Sequence, residues 1–117
     1  LCSSFGKVMP LSESYFPLFC SIAGCAPAYA YMFIDSLARS AVKNGMNKSV
    51  ALEIAAQTVL GSAKKILESD EHPWELIDKV CSPGGTTIEG IVSLQKDGFE
   101  SAVCNAVDAA LQKDKKV

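Results

Sequence analysis

One histidine, His72, occurs in 117 residues, so an imidazole-rich metal site has little to be built from. Basic excess is missing as well. Eleven Lys and Arg stand against thirteen Asp and Glu, and a net charge of −2 excludes the clustered positive footprint of a nucleic-acid binder. The basic cluster Lys113, Lys115 and Lys116 ends the chain and reads as a solvated helix terminus. No uninterrupted apolar run reaches the ~18–20 residues of a membrane span, so no membrane association is expected. The start, LCSSFGKVMP, lacks an initiator Met and a basic n-region followed by an apolar core. A piece of a longer chain is expected there, not a signal peptide. Cys2, Cys20, Cys25, Cys81 and Cys104 are odd in number and form no C-x-x-C pair. Reduced thiols in a cytoplasmic protein are expected, without a disulfide framework or a metal site. No Ser/His/Asp or Cys/His constellation suggests a nucleophile, so no catalytic side chain is assigned.

What the chain does have is apolar residues at helical spacing. They make up 49% of the sequence against 21% charged residues, the balance of one modest globular domain. Ser12 predicts an N-cap for a short helix through Glu13–Phe16, limited by Pro17. Pro27 suits a first helical turn and Gly45 a C′ position. Between them Tyr29/Ala30, Phe33/Ile34, Leu37/Ala38 and Ala41/Val42 form an apolar stripe. Asn47, within the sequon-like Asn47-Lys48-Ser49, is read as the N-cap of KSVALEIAAQTVLGSAKKILES. That helix is apolar most of the way round. A 117-residue monomer has trouble covering it, and a homodimer is expected to do so, with Ala55, Ala56, Gly61, Ser62 and Ala63 allowing close approach.

HPWELIDKVC follows, with Pro73 in a first turn and a short helix to about Val80. His72 is read as a cap or packing residue, Trp74 as a packing anchor, and Cys81 and Cys104 as small buried hydrophobes. Thr86 or Thr87 predicts the N-cap of the next helix, Gly98 closes it, and FESAVCNAVDAALQKDKK makes the last. No strand pattern competes, and the fold class is all-α.

The string Ser82-Pro83-Gly84-Gly85-Thr86-Thr87 interrupts this apolar chain. Pro83 ends the preceding helix, and the glycines allow positive φ and a close backbone approach. The helix that starts near Thr87 presents unpartnered N–H groups at its positive end, a place for a carboxylate or phosphate. A tight turn with a Thr cap and no ligand fits the same string. Two glycines, two threonines and Ser82 exceed what such a cap needs.

VCSPGGTTIEGI, followed by GFESAVCNAVDAALQK, resembles the C-terminal signature of the pyrroline-5-carboxylate reductases. SSFGKV, AGCAPAYAYMFIDSLARSAVKNGM, AAQTVLGSAKKILES and HPWELIDKV extend the resemblance over almost the whole chain. It implies a helical bundle of the 6-phosphogluconate dehydrogenase C-terminal type, interlocked as a homodimer, with a decamer as a further step. Residues 1–117 would then be the dimerisation and substrate-binding domain of a longer oxidoreductase. It would reduce 1-pyrroline-5-carboxylate to L-proline with NADPH or NADH in proline biosynthesis. The Rossmann half is not in this sequence, which has no G-x-G-x-x-G after a strand, so the fragment alone is expected to be inactive.

The resemblance also implies site residues. Gly85, Thr86 and Thr87 would offer backbone N–H groups to the substrate carboxylate, the Thr87 hydroxyl would add a bond, and Ser82 would support the loop. Gly24, Cys25, Ala26 and Pro27 resemble the family's Gly-Ser-Gly-Pro turn beside nicotinamide and substrate. Cys25 and Ala26 depart from that pattern and carry no hydroxyl. Arg39 and Glu100 stand where the family has Asp and Arg, and are expected on solvated faces. A helical oligomerisation module of a related dehydrogenase, without reductase activity, is the competing reading.

Overall fold

The structure, a computed structural model, describes residues 13–115, and every regular element among them is helical. A 3-10 turn, Glu13–Tyr15, leads into α1 (Phe16–Cys20), a π-helical turn (Ser21–Cys25) and α2 (Ala26–Lys43). Then come α3 (Lys48–Glu68), α4 (Pro73–Val80), α5 (Thr86–Lys96) and α6 (Phe99–Lys115). The all-α expectation therefore holds. Ser12, the proposed first cap, lies outside the described residues.

The described residues form two compact units, 13–32 with 100–115, and 33–99. In the first, the Tyr29 hydroxyl donates to the Ala106 carbonyl at 3.4 Å, tying the start of α2 to α6. In the second, the Phe33 and Phe99 rings pack with centroids 6.0 Å apart.

The stops and starts in the second unit follow local signals. Gly45 at φ +105° ends α2: its N–H donates to Val42 O, and Met46 N–H reaches back to Ala41 O, both at 2.9 Å. Asn47 caps α3, its Oδ1 accepting from Ser49 N at 2.9 Å and Val50 N at 3.4 Å. Gly98 at φ +79° follows α5 in the same role.

Pro17 behaves differently from the expectation, whereas Pro27 and Pro73 fall in first turns as expected. Pro17 lies within the first turn of α1, where its missing N–H costs nothing, so it starts a helix instead of limiting one. At Pro27 the ring would press on the carbonyl four residues back in a regular α-helix. The wider π turn immediately before α2 opens the helix there, and the chain stays helical from Phe16 to Lys43. This continuous run holds an 18-residue window of mean hydropathy 1.4. The expectation that no segment is long and apolar enough to cross a membrane is corrected by that length and composition. An oligomer's core helix has the same character.

Burial is sparse. Among the described residues the buried apolar side chains are Ala38, Ala51 and Ala55, and no large side chain is fully buried. On α3, Ala51 and Ala55 mark the covered face. Ala56, Leu60, Ala63 and Leu67, at i, i+4, i+7 and i+11, make an apolar stripe on the opposite side, all of it exposed. Leu60 is 62% and Leu67 81% exposed. Cys104 is exposed, which corrects its reading as a buried hydrophobe, and Cys81 is half-buried. Cys20 is disulfide-bonded, against the expectation of reduced thiols throughout, while Cys25, Cys81 and Cys104 are free.

Asp35 links α2 to α3. Its carboxylate accepts from Lys48 Nζ at 2.8 Å and from Arg39 Nε at 2.5 Å. Arg39 is largely solvated, as its position predicts, but it is paired. Lys48, then Arg39, hold the Asp35 carboxyl below its usual range. The depressed value makes its stabilisation complete above the ordinary aspartate range near ~3.9 and lost as pH falls below that. Asp35→Asn is expected to lower the melting temperature at pH 7 and to converge with the parent near pH 3. Parallel melting curves across that range would contradict this.

Candidate functional site

α4 ends at Val80, and Cys81 hands the chain to an exposed corner. Pro83 at the second turn position and Gly84 at φ +69° at the third set a type II turn, closed by Gly85 N–H donating to Ser82 O at 3.0 Å. Gly85 needs its missing Cβ for space. A Cβ there would come within 2.6 Å of Ser82 Oγ and 3.2 Å of Ser82 O. Ser82 thus lies directly against Gly85.

α5 begins at Thr86, with Gly85 as N-cap in extended conformation, φ −84° and ψ 177°. The expectation that Thr86 or Thr87 caps this helix is corrected. The turn already delivers an extended residue, Gly85, so both threonines fall inside the first turn. No side chain caps α5. The N–H groups of Thr86, Thr87 and Ile88 are the first of the helix and lack acceptors within it. Gly85 N–H is engaged in the turn, so the free donors are shifted by one residue from the expected set. Ile88 was not singled out from the sequence. Locating the helix start is what adds it, since its side chain carries no polar signal.

Such a helix start does two things chemically. It aims donors at one point, and it places the positive end of the dipole behind them. Glu89 is the acidic residue of this first turn. The arrangement suits one small anion with planar oxygens.

Gly24, Cys25, Ala26 and Pro27 belong to the other unit. They are not a loop: Gly24 and Cys25 complete the π turn, and Ala26 and Pro27 open α2. Gly24 and Cys25 are exposed, and a Cβ on Gly24 would meet nothing within 4 Å. Space within the chain does not require that glycine. Ser21, in the same turn, is buried with its Oγ unpartnered.

A groove of about 700 Å³ runs between the second half of α3 and α4, lined by Gly61, Lys65, Ile66, Leu76, Ile77 and Val80 among others. It contains none of the expected site residues. Apolar periodicity pointed to the two helices but not to the gap between them.

An all-α chain with many large apolar side chains exposed has the character of a helical assembly domain, and the uncapped start of α5 is its candidate ligand corner. The family profile described as "Pyrroline-5-carboxylate reductase dimerisation" matches residues 13–117, and the chain belongs to that family. It is 43% identical over 113 residues to pyrroline-5-carboxylate reductase of Escherichia coli K12, covering 97% of this chain and 42% of that protein. The Glycine max enzyme is 40% identical over 117 residues, covering 100% and 43%. Among solved structures, 1-pyrroline-5-carboxylate reductase of Streptococcus pyogenes superposes with a TM-score of 0.93 at 46% identity, over 97% of this chain and 44% of that one. The Plasmodium falciparum pyrroline carboxylate reductase, solved with NADP bound, gives 0.89 at 39% identity, over 95% and 42%. The chain thus spans about two-fifths of the length of these relatives.

Proposed function

We propose that this chain is the substrate-binding and dimer-forming part of a cytoplasmic reductase that converts 1-pyrroline-5-carboxylate to L-proline with NADPH or NADH. The observation that carries the reading is the uncapped start of α5 behind the Ser82–Gly85 turn, in a chain of this family. The substrate carboxylate is the anion that fits. Backbone N–H groups of Thr86 and Thr87 would donate to it, with the Thr87 hydroxyl beside them and Ser82 fixing the turn.

Holding the carboxylate fixes the ring, and with it the face of the protonated imine carbon. Orientation of that kind contributes up to about 7–11 kcal/mol in ideal cases. The nicotinamide supplies the hydride when bound. Among the described residues no strand-to-helix glycine turn exists to hold a pyrophosphate. The chain's part would be at the nicotinamide end, beside Gly24, Cys25, Ala26 and Pro27, of which Gly24 and Cys25 are exposed. The nucleotide itself requires the additional length that the relatives have.

The exposed stripe Ala56–Leu60–Ala63–Leu67 and the three small buried alanines support a homodimer: this chain by itself covers too little of its apolar surface.

Thr87→Val keeps the shape and removes one donor. In the full-length enzyme it is expected to raise KM for the imine about fivefold, the worth of roughly 1 kcal/mol of hydrogen bonding. Unchanged steady-state constants would remove the hydroxyl from the site.

A further inference from the structure

The start of α4 is closed by the chain's one histidine. Trp74 N–H donates to His72 Nδ1 at 3.1 Å, and His72 N–H donates to Glu75 Oε1 at 3.2 Å. Helices are usually capped by Ser, Thr, Asp or Asn, whose oxygens accept throughout the neutral range. Imidazole accepts only while the nitrogen is bare, and in the protonated ring both nitrogens are donors. Protonation also sets a positive charge at the positive end of the helix. α4 has eight residues, so it holds few internal hydrogen bonds against the loss, and it leads through Cys81 straight into the Ser82–Gly85 turn.

We propose that His72 is a pH-sensitive clasp on α4, closed while the imidazole is neutral and released when it takes up a proton. The nearby charges divide. Glu75 attracts an imidazolium, and Asp70 and Glu71 precede the ring in sequence, Glu71 being paired with Lys79. Against one stands the positive end of α4, and Lys65 of α3 lines the groove that Pro73 also lines. His72 is exposed, so a released ring is free to be solvated. The clasp needs a bare Nδ1, which the neutral ring supplies and the protonated ring does not.

Hydrogen exchange of the full-length protein, followed on a peptide spanning residues 74–80 and corrected for intrinsic rates, tests this at pH 7.5 and 5.5. His72→Asn keeps an acceptor that does not titrate, and His72→Ala removes it at both pH values. Protection in the parent is expected to fall about fivefold on acidification, the worth of one cap. It should stay constant in His72→Asn and be low at both pH values in His72→Ala. Equal losses in parent and His72→Asn, no loss in the parent, or full protection in His72→Ala would overturn the clasp. The readout is independent of reductase activity, so its failure leaves the reading of the α5 corner standing.

Discussion

Thr86→Pro in the full-length enzyme is expected to raise KM for the imine substrate by about 10- to 100-fold, while Thr86→Ala changes it about twofold or less. Thr86 is the first residue of α5, the position where proline is best tolerated, since its fixed φ suits the helix and its lost N–H has no helical acceptor. Gly85 before it is extended, at ψ 177°, as a residue preceding proline must be. The substitution therefore deletes one backbone donor while leaving the helix in place. A hydrogen bond to a charged acceptor is worth about 1.5–3 kcal/mol, which sets the size of the effect. Thr86→Ala removes the hydroxyl and keeps the N–H, so the pair isolates the backbone contribution. Equal constants for the two variants, with unchanged melting temperatures, would show that no carboxylate sits on this helix start.

Leu60→Glu is expected to destroy the dimer. Leu60 is 62% exposed in the single chain, on the face of α3 opposite Ala51 and Ala55. Were that face solvent in the working protein, the change would lie within about 0.5 kcal/mol of neutral, because Glu is a good helix former. In a symmetric interface each loss occurs twice. Two leucines leaving an apolar contact cost about 3–6 kcal/mol, before any penalty for burying carboxylates. Dissociation should become easier by at least two to four orders of magnitude. Helicity should fall with it, since the large apolar side chains have no other cover. A dimer of undiminished stability would place Leu60 on a true surface.

Much of the fold was legible because its boundaries are local chemistry. Asn47, Gly45, Gly98 and Pro73 each act through their own backbone or a partner two to four residues away. The turn at Pro83–Gly84 was legible for the same reason. The start of α5 is not legible, because a threonine is a good cap, whereas here an extended Gly85 does the work without a side chain. Pro17 reads as a break but occupies a first turn, Pro27 is legible as a first-turn residue, and the π turn before it cannot be seen in composition. Burial was the least legible property. Cys104 looks like core by period alone but is exposed, whereas the all-round apolar character of α3 already points to cover from a second chain, and the Leu60–Leu67 stripe is exposed in the single chain.

The native mass of the 117-residue chain tests the account most directly, because an interlocked dimer and a self-sufficient monomer differ by a factor of two. The account predicts a stable species of twice 12.4 kDa that persists on dilution and unfolds in one concentration-dependent transition. A folded, helical species of 12.4 kDa, with a melting temperature independent of concentration, would contradict it.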